Sequence, residues 1–210
     1  VQAAQTAINE SNIPSELTAK VAGDYEDQQD MFVDLITLMV LIVILVYMVM
    51  ASQFESFMSP FVIMFSVPFA LVGVIFGLWL TNTALGVMAM IGLLILIGIV
   101  VKNGIVLIDY LILCRERGMN ILDAAVTAAR SRLRPILMTT LTTVLGMIPM
   151  AIGTGEGSEM WRSLGVTVAW GLSVSTVVTL VLIPTIYCVF ATRQEKHKQK
   201  KLAKQAAING

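Results

Sequence analysis

Lys102 and Asn103 stand inside an otherwise aliphatic run, Gly98-Ile-Val-Val-Lys102-Asn103-Gly-Ile-Val-Leu-Ile-Asp109. An amine beside an amide, with a carboxylate seven residues on, is equipment for carrying protons. In low dielectric an amine gives up its proton far more easily than in water, and a nearby carboxylate then governs its charge. Such a group can couple proton movement to a helix rearrangement. A second polar set follows in Arg132-Leu-Arg134-Pro-Ile-Leu-Met-Thr139. No nucleophile–base pair, phosphate-binding loop, metal-ligand spacing or pair of intramembrane carboxylates accompanies them, so the chain reads as no enzyme, with no metal and no cofactor.

Two readings of Lys102 compete. Either the helix ends near Val101 and the lysine snorkels to an interface, or the helix continues to Arg115. Residues 103–114 are too few to cross back and too apolar for surface chain. With Cys114 at the membrane edge, Lys102 lies twelve residues deep, about 18 Å at the helical rise, in the bilayer middle. The residue types alone leave the two readings level.

The elements that must position these residues are apolar and long. Of 210 residues 57% are hydrophobic and 13% charged, with a mean hydropathy of +0.82. A soluble domain is about half apolar and about a quarter charged. Five stretches reach spanning length: 35–52, 60–80, 84–114, 135–153 and 163–191. Backbone groups find no water in hydrocarbon, so each must be a helix. The predicted fold is an all-α multi-pass membrane protein. Residues 1–30 are too short for a core of their own, although Leu17–Val21 reads as a strand whose partners lie elsewhere.

The net charge of zero is a cancellation. Residues 1–34 hold one base against seven acids, and 193–210 hold six bases against one acid, nets of −6 and +5. That excludes a uniformly basic nucleic-acid binder and an acidic disordered chain. Basic residues cluster again in 113–134, at Arg115, Arg117, Arg130, Arg132 and Arg134. Basic segments flanking spans stay in the cytoplasm, which puts the N-terminus outside and the tail from residue 193 inside. The tail reads as a topology anchor facing membrane lipids. The single histidine, His197, falls there and reads as solvated.

Several motifs have plainer readings. Thr140, Thr142 and Thr143 suit hydrogen bonds to their own or a neighbouring helix. Only Thr139 is promoted, because seven residues from Arg132 put it about 10 Å in, near the level expected for Lys102. Asp109 would lie nearer Arg132 and Arg134. The pairs Gly73-xxx-Gly77, Gly165-xxx-Ala169 and Gly171-xxx-Ser175 read as close-packing faces. Pro135 suits a first helical turn, and Pro68, Pro149 and Pro184 mark kinks. Residues 120–131 read as a short amphipathic helix lying on the cytoplasmic face. Cys114 and Cys188 sit near cytoplasmic ends, where a disulfide is disfavoured. The first residue is Val1 and no signal-peptide pattern precedes the spans, so the chain reads as a processed or excised piece.

The run Gly98–Asp109 resembles the tenth transmembrane helix of resistance–nodulation–division efflux pumps, and Arg132–Thr139 resembles the start of their eleventh. Gln53-Phe-Glu55-Ser and Gly153-Thr-Gly-Glu156-Gly-Ser-Glu159 fit as well, so the likeness covers about residues 17–191. The Lys-Asn and Arg-Pro-Ile-Leu-Met-Thr versions look most like the hydrophobe/amphiphile, or multidrug, branch and less like the heavy-metal branch. The resemblance implies that the five spans are the last five of a twelve-helix subunit, with residues 1–30 the end of a periplasmic region. It implies a proton relay of Lys102, Arg132 and Thr139, with Asn103 adjacent and Asp109 and Arg134 as secondary polar positions. The relay's acceptors would be two adjacent aspartates on the fourth helix of the full subunit, outside this chain. The implied setting is a bacterial inner membrane, powered by the proton-motive force. The implied partners are the missing N-terminal half of the subunit, a homotrimer, a periplasmic adaptor and an outer-membrane channel. Two alternatives remain: a pump-derived short membrane protein acting as a structural or regulatory partner, and an unrelated five-span scaffold.

Overall fold

The computed structural model describes the backbone of residues 24–209 except 154 and 156, and the side chains of residues 28–193 with the same two exceptions. The strand expected at Leu17–Val21 and the solvated His197 side chain fall outside these residues. All the described elements are helices: α1 (Asp24–Gln53), α2 (Met58–Met64), α3 (Val67–Leu80), α4 (Val87–Glu116), α5 (Ile121–Ile152) and α6 (Ser158–Asn209). Five spans result, because α2 and α3 form one apolar path from Met58 to Leu80. The break between them falls at Phe65 and Ser66, two residues before Pro68. Proline has no amide to offer the Met64 carbonyl and its ring crowds that oxygen. The Ser66 amide turns back to the Ile63 carbonyl instead, at 3.0 Å.

Helix α4 is the centre. It packs against every other described helix, and 56% of its most apolar window is buried, against none for α1. Its continuous course through Lys102 to Glu116 places that lysine inside a helix and not at its end. The chain then reverses in four residues. Gly118 adopts φ +86°, and the Met119 and Gly118 amides donate to the Cys114 and Arg115 carbonyls at 3.3 and 3.0 Å. This glycine-closed turn satisfies the last carbonyls of α4 and aims α5 back along it.

Helix α5 differs from the sequence expectation. The amphipathic stretch 121–131 is helical, but it is the first three turns of one helix that passes through Pro135 and Pro149 without interruption. Its apolar residues Ile121, Ala124, Ala125 and Ala128 are buried. Ala125 and Ala128 join a cluster with Leu107, Ile108 and Leu111 of α4 and Ile183 of α6, and Cys188 Sγ lies 3.9 Å from the Ile121 carbonyl oxygen. The stretch therefore turns Ile121 and its alanines to protein and leaves Leu122 and Val126 exposed. Pro135 consequently lies fourteen residues into a helix, where its fixed φ is compatible but the Ser131 carbonyl loses its amide partner.

Small residues set the helix crossings. A Cβ on Gly73 would stand 2.7 Å from the Val174 Cβ, and one on Gly77 would overlap the Trp170 side chain. A Cβ on Gly165 would stand 2.8 Å from the backbone nitrogen of Ala151, with no side chain in between to move aside. The small-residue pairs thus lie where α6 meets α3 and α5.

Two outcomes follow from this packing. Gly165→Ala should destabilise the bundle by about 1–3 kcal/mol through overpacking against α5 backbone. Gly146→Ala, on an open face of the same α5, should be neutral or stabilising by up to about 1 kcal/mol. Unfolding midpoints in mixed detergent compare the two; equal shifts would discard the close-contact account. For topology, Cys114 is buried and cannot report accessibility. With both native cysteines replaced by alanine, Arg117→Cys should react with a membrane-impermeant thiol reagent only from the inside, and Leu85→Cys only from the outside. The reverse labelling would invert the orientation.

Candidate functional site

Helix α4 carries Lys102 and Asp109 two turns apart on one stripe, and both side chains are exposed on the outer face of the five-helix bundle. Lys102 makes no hydrogen bond or ion pair to the described residues. Asn103 is turned the other way. One residue advances about 100° around a helix, so it points into the bundle and is only 8% exposed. The structure thus separates Lys102 from the neighbour with which the sequence groups it.

Helix α5 supplies the rest. The guanidinium carbon of Arg132 lies 4.6 Å from the centroid of the Tyr110 ring, a cation–π contact between α5 and α4. Its Nε is enclosed with no hydrogen-bond partner among the described residues, while Arg134 points outward. This contact fixes the register of the two helices. From it, Lys102 is eight residues back along α4 and Thr139 seven residues forward along antiparallel α5, about 12 and about 10 Å of rise. Lys102 and Thr139 therefore share a depth, with Asp109 at the level of Arg132. They are not bonded to each other: Thr139 is exposed, and its hydroxyl donates to the Pro135 and Ile136 carbonyls at 3.1 and 3.0 Å.

The remaining threonines divide as their residue type allows. Thr142 and Thr143 bond carbonyls four residues back in α5, at 2.8 and 2.9 Å. Thr140 is buried and meets Thr176 of α6 hydroxyl to hydroxyl at 3.1 Å. Tyr110 and Thr176 are the partners that the sequence reading missed. Counting outward from the 117–120 reversal would have set Tyr110 opposite about residue 127, five residues short of Arg132, so no local signal gives this pair. For Thr176 no local signal exists.

The chemistry of this arrangement is that of a half-site. Lys102 faces outward at mid-helix and Asp109 two turns nearer the basic end, while Thr139, Met138, Leu141 and Leu145 are exposed on α5. An ammonium at the bilayer centre costs a few kcal/mol on insertion scales unless a counter-charge meets it. Nothing in the described residues supplies one to Lys102.

A sequence profile of the AcrB/AcrD/AcrF family matches residues 1–191. Swarming motility protein SwrC of Bacillus subtilis (strain 168) is 39% identical over 195 residues, which is 92% of this chain and 18% of SwrC. Crystal form II of a heavy metal efflux pump superposes with a TM-score of 0.77 at 30% identity, and form I with 0.73 at 31%. Each covers 91% of this chain and 19% of the pump. The chain spans about a fifth of the length of these relatives.

The Arg132–Tyr110 contact has a direct check. Arg132→Lys keeps the charge and loses the planar cation, and should cost about 1 kcal/mol of bundle stability. Tyr110→Leu should cost a similar amount, and the double variant less than the sum of the two. Strict additivity in that cycle would remove the contact as the source of register.

Proposed function

The chain belongs to the AcrB/AcrD/AcrF family, and on that premise we propose that it is the C-terminal membrane part of a proton-driven efflux pump. The observation that carries this reading is the outward half-site: Lys102 lies exposed at mid-helix, level with Thr139, with Arg132 held at the level of Asp109. A lone ammonium there calls for a carboxylate partner from outside this chain, and the missing length of the relatives is where that partner would come from. Lys102, Arg132 and Thr139 then form the basic and hydroxyl side of a proton relay. Asp109 and Arg134 are secondary polar positions toward the basic end, and Asn103 supports from the interior. Protonation of the partner carboxylate releases its hold on Lys102, and the freed helix α4 can shift against it. This is a change of charge converted into a change of packing.

The proposed setting is the bacterial inner membrane with the N-terminus periplasmic and the basic tail cytoplasmic. The proposed partners are the N-terminal half of the subunit, two further copies in a trimer, a periplasmic adaptor and an outer-membrane channel. For cargo we propose amphiphilic or drug-like compounds, on the Lys-Asn and Arg-Pro-Ile-Leu-Met-Thr versions of the motifs. The likeness to a heavy metal efflux pump supports a second cargo reading, a metal ion. The other functional reading is a pump-derived partner protein without transport of its own.

Lys102→Ala in the assembled pump is expected to abolish efflux of an amphiphilic dye driven by an imposed proton gradient, with membrane insertion unchanged. Near-normal efflux in that variant would defeat the relay assignment and favour the partner reading. Efflux of a divalent metal but of no dye by the unaltered pump would move the cargo to the metal branch.

A further inference from the structure

Helices α5 and α6 leave an apolar groove between them, closed at one end by Thr81 where α3 stops. It encloses about 590 Å³, within the roughly 300–1,000 Å³ of small-molecule sites. Val144, Ile148 and Ile152 of α5 form one wall, and Val166, Ala169 and Trp170 of α6 form the other. Ile148 and Ile152 are exposed, so the groove opens to the surrounding lipid. Its α6 lining runs from Arg162 to Ser173, eleven residues or about 16 Å of rise. That is about half of the ~30 Å hydrocarbon core, the depth of one leaflet. Trp79 and Trp161 stand exposed near the Arg162 end, and tryptophans of this kind mark the headgroup level.

The charges at the mouth of the groove are ordered. Arg162 lines the groove and also a second, more polar cavity of about 580 Å³ that holds Asn82, Thr83 and Glu159. Its guanidinium makes one bond to a described residue, Nη2 donating to the Thr81 carbonyl at 3.4 Å, which leaves most of its N–H donors free. Glu159 lies three residues nearer the start of α6, about 4.5 Å farther out, and makes no hydrogen bond or ion pair to the described residues. Outward from the membrane middle the order is therefore apolar groove, cation, anion. A ligand that matches it carries an apolar chain, then an anion, then a cation. A phospholipid with a phosphoethanolamine head has that order. The planar fork of arginine suits a phosphate, and a carboxylate accepts from the ammonium just beyond it. A phosphoglycerol head has no cation for Glu159, and a choline head has no N–H to donate to it.

We propose that this groove is a binding site for one phosphatidylethanolamine molecule from the leaflet at this end of the bundle. One acyl chain lies along the groove toward Ser173, the phosphate meets Arg162, and the ammonium meets Glu159. The site rests on the placement of the helices in a membrane and is independent of the transport reading.

Photo-cross-linking of the full chain in its native assembly tests it, in vesicles of equal parts phosphatidylethanolamine and phosphatidylglycerol. Each lipid is supplied in turn as a probe with a diazirine on one acyl chain, and the labelled peptides are mapped. The phosphatidylethanolamine probe should label residues 144–152 and 166–173 several-fold more than the phosphatidylglycerol probe. Arg162→Gln should cut that labelling several-fold, and Glu159→Gln should erase the preference between the two probes. Both positions are exposed, so neither change disturbs the packing of the bundle. Equal labelling by the two probes in the unaltered chain would overturn the site. So would labelling that survives Arg162→Gln, or a preference that survives Glu159→Gln. No labelling by either probe, as when another protein helix fills the groove, would overturn it as well.

Discussion

The bundle depends on how closely α6 can approach α3, α4 and α5. Hydrocarbon gives two helices no hydrophobic reason to associate, since lipid tails are as apolar as leucine. Contact must then come from close packing, and close packing needs positions without side chains. Gly77 admits Trp170, Gly171 admits Leu96 and Val74, and Gly165 lets α6 lie directly on the backbone of α5. From these crossings follow the depth at which each helix sits and the residues that end up opposite each other. The Thr140–Thr176 hydroxyl pair is one product, formed because the Gly165 contact has already set the register of α5 on α6.

The same packing sorts the polar residues into two populations. One faces out: Lys102, Asp109 and Thr139, on the part of α4 and α5 that no described helix covers. The other faces in: Asn103, Thr140, Ser175, Thr176 and Thr179, buried where α4, α5 and α6 meet. The inward group is neutral and can be satisfied by hydroxyl pairing or backbone carbonyls, so the bundle can enclose it. The outward group includes the two ionisable side chains, Lys102 and Asp109, and no described residue bonds Lys102. A helix with an enclosed neutral face and an open charged one is anchored on one side and responsive on the other. That arrangement is what the proposed proton relay would use.

Arg132 joins the two. Its guanidinium stacks on Tyr110 of α4, so the basic end of α5 is tied to the same helix that carries Lys102. The turn at Gly118 makes this possible by reversing the chain in four residues. Helix α5 is continuous: the alanines of its first turns find cover on α4 and α6, and the helix runs on through Pro135. Family membership comes from nearly the whole chain, and its relatives include both a swarming motility protein and a heavy metal efflux pump.

The sequence by itself determined the class of structure. Apolar runs too long for soluble helices allow only spanning helices, and the split of charge between the termini argues one orientation. The glycine and small-residue spacings already marked the crossing faces. These are one-dimensional properties, set by the length of hydrocarbon to be crossed and by the volume of each side chain. Only the tertiary structure decided where each polar group points. Lys102 and Asn103 are adjacent in the chain and face opposite environments, because one residue turns a helix by about 100° and the neighbours on α6 decide which arc is enclosed. The partners Tyr110 for Arg132 and Thr176 for Thr140 were hidden for the same reason: they depend on the register of two helices, and register is fixed by contacts between residues far apart in the chain.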